Sequence, residues 1–123
     1  MIRREKAVGL LVSGAVFLFS AHCGDSGVKN VATGATCPTT STLTYENFGR
    51  QFMDTYCVSC HAGKERPDLS TLANVQREAK EIAATAAGGP LGENTNMPGP
   101  GEDPEPSSEE RKKLGEWIAC GAK

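Results

Sequence analysis

Two cysteines and a histidine stand close together in the middle of the chain, in the stretch Cys57-Val58-Ser59-Cys60-His61. The spacing Cys-x-x-Cys-His is the attachment pattern of c-type haem. Two thiols two residues apart can each form a thioether with one haem vinyl group, and the imidazole that follows can then bind the iron. The motif therefore predicts one covalently attached haem c, held by Cys57 and Cys60, with His61 as an axial iron ligand.

A Cys-x-x-Cys pair also occurs in redox dithiols and in zinc sites. A zinc site needs two further Cys or His ligands, but the only other histidine is His22 and the chain has no second Cys-x-x-Cys. A thioredoxin-like pair would lie between a strand and a helix, and little of this sequence has the alternation of a strand. Haem attachment is the favoured interpretation.

The N-terminus has the pattern of an export signal. A basic segment at residues 1–6 precedes an uncharged apolar run from Ala7 to Ala21. A run of about fifteen residues is short for a membrane span, so we predict a signal peptide over residues 1–22. The alternative is a short membrane anchor that stays on the protein. Export agrees with the haem motif, because c-type haem is attached outside the bacterial cytoplasm.

The end of this segment, Ser20-Ala21-His22-Cys23, resembles a bacterial lipobox, although His22 stands where a small residue is usual. We predict lipidation of Cys23 and a flexible tether over residues 23–40. Acylation with several chains would hold the protein on a membrane face. The expected location is the periplasm or cell envelope; without lipid, Cys23 would be a free thiol.

The chain has five cysteines. With two assigned to haem and one to lipid, Cys37 and Cys120 remain, and in an oxidising compartment they are natural disulfide partners. A bridge closing about eighty residues would stabilise the fold by roughly 4 to 5 kcal/mol in the chain-entropy model. The alternative is two unrelated thiols.

Residues 41–123 are long enough for one small domain, and their apolar content is low for a core without a large apolar cofactor. The whole chain has a formal charge of −2, with 13 basic and 15 acidic residues. Residues 1–22 hold three basic residues and one acid, so the chain without them carries −4. The absence of a basic patch argues against a nucleic-acid partner.

The domain reads as three helices separated by loops. The first begins at the N-cap Thr44 and runs into Cys57, with an aromatic stripe of Phe48, Phe52 and Tyr56. The second spans about 70–87 and ends at Gly88-Gly89-Pro90. After a Gly- and Pro-rich loop over 91–106, the third begins with a capping box between Ser107 and Glu110.

This order of elements resembles the class I cytochrome c family over roughly residues 41–123. The resemblance implies an all-α, cytochrome c-like fold with three main helices wrapped around one haem. His61 matches the proximal ligand, and Pro67 matches a proline whose carbonyl accepts a hydrogen bond from the Nδ1 of that ligand. Such a bond fixes the imidazole tautomer and raises its basicity. Met97 matches the distal methionine ligand.

Gly49 and Trp117 match the residues at which the terminal helices of that family cross. Met53 stands where the family usually has an aromatic residue.

Two methionines remain outside the signal segment. Met53 lies on the first helix and is expected to fill the core. Met97 lies in a polar loop with no core of its own, and Pro98 favours an extended backbone there. We expect Met97 to be the sixth iron ligand; an open site, or a ligand that is neither methionine, is the alternative.

A haem iron with both axial positions filled exchanges electrons rather than binding substrate, and a thioether ligand raises its potential. The prediction is a monomeric electron carrier, not an enzyme, that serves redox proteins or membrane respiratory complexes. The alternatives are a haem-based ligand sensor and an electron-entry subunit of a larger complex. An acidic cluster could dock a basic partner or be a solvated face; it comprises Glu102, Asp103, Glu105, Glu109 and Glu110.

Overall fold

The structure is a computed structural model, and it describes residues 30–123. The predicted signal peptide at residues 1–22 and the predicted lipidation at Cys23 lie outside these residues. Within residues 30–123, none of the helices has the length and apolar character needed to cross a membrane.

Four α-helices, a π-helical turn and one small sheet make up the described part of the chain. In chain order they are the π-helical turn Tyr45–Gly49, α1 (Arg50–Tyr56), α2 (Leu72–Arg77), α3 (Ala79–Ala86), β1 (Gly88–Gly89), β2 (Gly92–Glu93) and α4 (Ser108–Ala119). The expectation of an all-α fold with three main helices is therefore wrong. The chain has a mixed structure, with an antiparallel β1–β2 pair between α3 and α4.

Two of the three predicted helix N-termini, those at Thr44 and Ser107, are confirmed by their hydrogen bonds. Thr44 Oγ1 accepts from the backbone N–H of Asn47 at 3.2 Å, and Asn47 Oδ1 accepts from the backbone N–H of Thr44 at 2.8 Å. Ser107 and Glu110 make the same reciprocal pair at the start of α4. Each box satisfies two donors that a helix N-terminus otherwise leaves without partners.

The predicted helix at 70–87 is divided into α2 and α3. Thr71 caps α2 by accepting from the N–H of Asn74, and Glu78 has φ −94° and ψ 6°, outside the helical region. The hydrogen bonds continue through the division, from Glu78 N–H to Asn74 O and from Ile82 N–H to Glu78 O. Val75 of α2 and Ile82 of α3 are both buried, so the two helices contribute to one core despite the division.

The sheet was not predicted, because two-residue strands are too short to show alternation. It pairs Gly88 with Glu93 and Gly89 with Gly92. A Cβ on Gly115 of α4 would collide with the carbonyl oxygen of Gly88, so β1 packs closely on α4 because Gly115 has no side chain. The sheet thereby fixes where the chain leaves α3.

The core lies where the first helical segment meets α4. Trp117, Leu114, Met53 and Phe52 are buried there, and a Cβ on Gly49 would collide with the Trp117 ring. The predicted contact between Gly49 and Trp117 is present, and Met53 fills the core as expected. The aromatic stripe is present too, with ring centroids 5.6 Å apart for Phe48 and Phe52 and 4.9 Å apart for Phe52 and Tyr56.

The first described residues lie against the hairpin. Val31 exchanges two hydrogen bonds with the Asn94 side chain, at 2.7 and 3.0 Å, and Thr33 O accepts from the N–H of Leu91. Cys37 and Cys120 form a disulfide bond, the pairing expected from the sequence. Residues 30–37 are thus attached to the hairpin at one end and to the end of α4 at the other.

Candidate functional site

A cavity of about 580 Å³ lies between the end of α1, helix α3 and the loop that follows the sheet. This volume falls within the ~300–1,000 Å³ of cofactor and ligand sites. Its lining brings together all five residues that the sequence analysis assigned to haem: Cys57, Cys60, His61, Pro67 and Met97. The rest of the wall contains apolar side chains such as Leu69, Ile82 and Ala86, together with polar and charged ones such as Glu78 and Glu81.

The backbone just after α1 holds the Cys-x-x-Cys-His motif in a tight turn. The N–H of Cys57 donates to Met53 O at 2.9 Å, and the N–H of His61 donates to Cys57 O at 2.8 Å. Because the turn continues from α1 with helix-like bonds, the cysteines and the histidine line the same cavity.

The orientation of His61 is fixed by Pro67. His61 Nδ1 lies 2.9 Å from Pro67 O, and a carbonyl oxygen can only accept, so Nδ1 carries the proton. In the neutral ring the lone pair then resides on Nε2, the nitrogen suited to bind a metal. The predicted contact between Pro67 and the ligand is present, and the N–H of Leu69, which donates to His61 O at 2.7 Å, helps to hold the intervening loop.

Cys57 is buried, with 8% of its surface exposed. Burial raises the pKa of its thiol to about 12, although the positive charge of Arg111 opposes this rise. A thiol that stays protonated is a poor nucleophile. The folded environment of Cys57 therefore does not suit the redox-dithiol alternative.

Cys60 also lines the cavity, and in this structure it is disulfide-bonded. A thioether at Cys60 requires the same sulfur atom. Haem attachment and this disulfide are consequently mutually exclusive states of the residue.

Met97 is attached to the protein through both of its backbone groups. Its N–H donates to Thr85 O at 2.9 Å, and its carbonyl accepts from Arg111 Nη1 at 2.8 Å. Its half-buried side chain packs against the core and borders the cavity. Met53, in contrast, is 1% exposed and is not part of the cavity wall, so Met97 is the described methionine placed to serve as a ligand.

The residues of the predicted acidic cluster have different surroundings. Glu102 and Asp103 border the cavity, Glu105 lies 3.7 Å from Arg111, and Glu110 caps α4. Glu110 also accepts a hydrogen bond of 2.8 Å from Tyr56 Oη, another cavity residue. Two of the five carboxylates, those of Glu105 and Glu110, thus have partners inside the protein.

Arg111 is the important residue that the sequence analysis did not single out. It is 1% exposed and donates from Nη1 to three backbone carbonyls around Met97. Burial lowers its pKa, and the carboxylates of Glu93 and Glu105 oppose that change. The signal was its position three residues before Leu114, on the apolar stripe of α4, where a charged residue is unusual.

Comparison of the chain with protein-family models, with curated proteins and with solved structures gives no match. Within residues 30–123, no group of three or more His, Cys, Asp or Glu side chains is placed to hold a metal ion.

The cavity residues fit a haem in three respects. The Nδ1 of His61 faces Pro67 O and leaves Nε2 as the nitrogen suited to iron, a thioether sulfur belongs to a residue of the same cavity, and two cysteines of the attachment pattern border it. The wall also carries a guanidinium, that of Arg66, which could pair with a propionate. The arrangement can hold one iron porphyrin by covalent bonds and by axial ligands.

Proposed function

We propose that the protein is an exported monohaem c-type cytochrome that carries electrons, with His61 and Met97 as axial ligands and Cys57 and Cys60 as thioether anchors. The observation that carries the proposal is the hydrogen bond from His61 Nδ1 to Pro67 O within a cavity that Met97 also lines. The bond directs Nε2, the other ring nitrogen, to be the one that can bind iron. When bound, the haem supplies one iron that cycles between Fe(II) and Fe(III).

The chain's own residues hold the ligands rigidly. Pro67 O keeps the His61 ring in one orientation, and the backbone bonds of Met97 to Thr85 and Arg111 keep its loop in place. Rigid ligands and a largely apolar surrounding reduce the rearrangement that accompanies a change of charge, which suits electron transfer.

Covalent attachment would use the thiols of Cys57 and Cys60, each held to the haem by one thioether bond. Because Cys57 is buried and its pKa is raised to about 12, we infer that its thiol reacts before the chain closes around it. Cys60 must be a thiol at that moment.

Export and membrane anchoring belong to the same proposal. They rest on the apolar run from Ala7 to Ala21 and on Cys23, which the sequence places ahead of the domain. We propose a periplasmic or cell-envelope location with lipid on Cys23, and redox proteins or membrane complexes as partners.

Visible spectra of the exported protein, recorded oxidised and reduced, test the proposal. We expect a low-spin spectrum in both states, with the weak far-red band of sulfur bonded to ferric iron, and no CO binding to the reduced protein. Met97→Ala should remove the band and admit CO, and Met53→Leu should change neither. Ready binding of CO by the unaltered protein would instead indicate a sensor with an open position.

A further inference from the structure

Arg111 lies on the inward face of α4, 1% exposed, but it is not part of the cavity wall. A buried guanidinium is strongly unfavourable unless its donors find acceptors. Its hydrogen bonds therefore identify what the residue does for the protein.

Within the described residues, all side-chain hydrogen bonds of Arg111 come from one nitrogen of its guanidinium, Nη1. Nη1 donates to Ala86 O at 2.9 Å, to Asn94 O at 2.9 Å and to Met97 O at 2.8 Å. Ala86 ends α3, and carbonyls at a helix C-terminus lack partners and favour a cation. The guanidinium thus ties two points of the methionine loop to the end of α3.

The backbone of Met97 is consequently held from two sides. Thr85, in α3, accepts from its N–H at 2.9 Å, and Arg111, in α4, donates to its carbonyl at 2.8 Å. Neither contact involves the Met97 side chain. The place from which the thioether extends is therefore set by two helices.

The counter-charges of Arg111 lie farther away than its carbonyl partners. Glu93 Oε1 is 3.9 Å from Nε, and Glu105 Oε1 is 3.7 Å from Nη2. These carboxylates balance the charge, while the directed bonds go to the loop. A lysine ammonium could balance the same charge, but its nitrogen ends one bond short of the position that Nη1 occupies.

We propose that Arg111 is a positioning residue for Met97, which keeps the methionine loop closed so that the thioether stays at the cavity that His61 also lines. The inference rests on the proposed function, because it takes Met97 as the sixth ligand. An external ligand can bind only when Met97 is away, so its apparent Kd equals the intrinsic Kd divided by the open fraction. Arg111 therefore controls the apparent affinity without touching the haem.

The experiment is a double-mutant cycle on the ferric holoprotein, with imidazole as the external ligand. Arg111→Met should lower the apparent Kd of imidazole about tenfold or more, because hydrogen bonds from a charged donor are lost. Met97→Ala gives the intrinsic Kd, and Arg111→Met in that background should leave it unchanged. Lys112→Met removes a charge from the adjacent, exposed position of α4 and should have no effect.

An unchanged Kd in Arg111→Met overturns the proposal, as does an equal shift in the Met97→Ala background. Far-UV circular dichroism must show that each variant is folded under the assay conditions. If Arg111→Met does not fold, Arg111→Lys decides: a lowered Kd supports the proposal, and an unchanged Kd overturns it. If Arg111→Met loses the far-red band only when it also loses the helical circular dichroism signal, the proposal is overturned. That result would mean that Arg111 only stabilises the fold.

Failure of the proposed function gives a different result. In that case the protein carries no covalent haem, or Met97→Ala does not alter the affinity for imidazole. The positioning role fails on its own when Met97→Ala raises the affinity and the Arg111 variants do not. Faster amide hydrogen exchange at Met97 in Arg111→Met provides a supporting readout that is independent of ligand binding.

Discussion

The Nδ1 of His61 donates a hydrogen bond to the carbonyl oxygen of Pro67, across 2.9 Å and six positions of the chain. The acceptor is a backbone atom, so its position depends on the path of the loop. The N–H of Leu69, two residues later, returns to His61 O and closes that loop. The histidine is thus oriented by a loop that it also helps to hold.

Replacement of His61 by alanine distinguishes the covalent attachment of haem from the binding of its iron by an axial ligand. Both cysteines remain, so we expect covalent haem to persist on a denaturing gel stained for haem. The low-spin spectrum should be lost because one axial ligand is missing. Lys64→Ala, an exposed change nearby, is the control. An unchanged low-spin spectrum in His61→Ala would rule out His61 as a ligand.

Gly49→Ala should destabilise the protein by about 1–3 kcal/mol, because its Cβ would collide with the Trp117 ring. Alanine is otherwise preferred to glycine in a helix by about 1 kcal/mol, so a loss of stability identifies the collision. Urea unfolding measures the difference, and Gln51→Ala at an exposed position of α1 is the matched control. Equal or greater stability of Gly49→Ala would show that the ring can move aside.

The bond between Cys37 and Cys120 joins residues 83 positions apart. In the chain-entropy model such a bridge contributes about 4–5 kcal/mol to the free energy of unfolding. We expect the Cys37→Ser/Cys120→Ser variant to lose much of this amount in urea unfolding. Cys37→Ser alone should lose at least as much. A double variant as stable as the parent would mean that the bridge does not constrain the unfolded chain.

Lowering the pH should reduce the contribution of the first turn of α4 to the stability of the protein. The backbone N–H of Ser107 holds the pKa of Glu110 below its ordinary value, against an opposing effect of burial, and the Tyr56 hydroxyl adds to the lowering. A lowered folded-state pKa means that the contribution to stability is present above the ordinary carboxyl pKa and is lost as pH falls through the folded-state pKa.

Glu110→Gln should therefore flatten the acid side of the stability–pH curve, measured by urea unfolding at several pH values. Glu109→Gln removes the exposed carboxylate next to it and should leave the shape as in the parent. If the stability of Glu110→Gln falls as steeply as that of the parent at pH values below the ordinary carboxyl pKa, Glu110 does not stabilise the start of α4 in this way.

Local patterns were sufficient to predict the helix starts at Thr44 and Ser107, because a capping box depends on residues three positions apart. The cavity residues were also predictable, since spacing links Cys57, Cys60 and His61 directly. The contact between His61 and Pro67 came from family resemblance, and it is present even though the predicted all-α fold is wrong.

What the sequence did not reveal depends on contacts between distant segments. The β1–β2 pair consists mostly of glycines, whose role is to let α4 and residues 30–37 approach closely. Arg111 shows only as a charge on an apolar stripe; its partners at Ala86, Asn94 and Met97 are brought together by the folded loop. No periodicity in the chain encodes those distances.

The intact mass of the exported protein, measured under denaturing conditions after acid–acetone extraction, tests the central claim most directly. We expect one haem to remain bonded to the chain, and Cys57→Ala/Cys60→Ala to carry none. A parent chain whose mass shows no haem, with Cys60 still in a disulfide, would contradict the account.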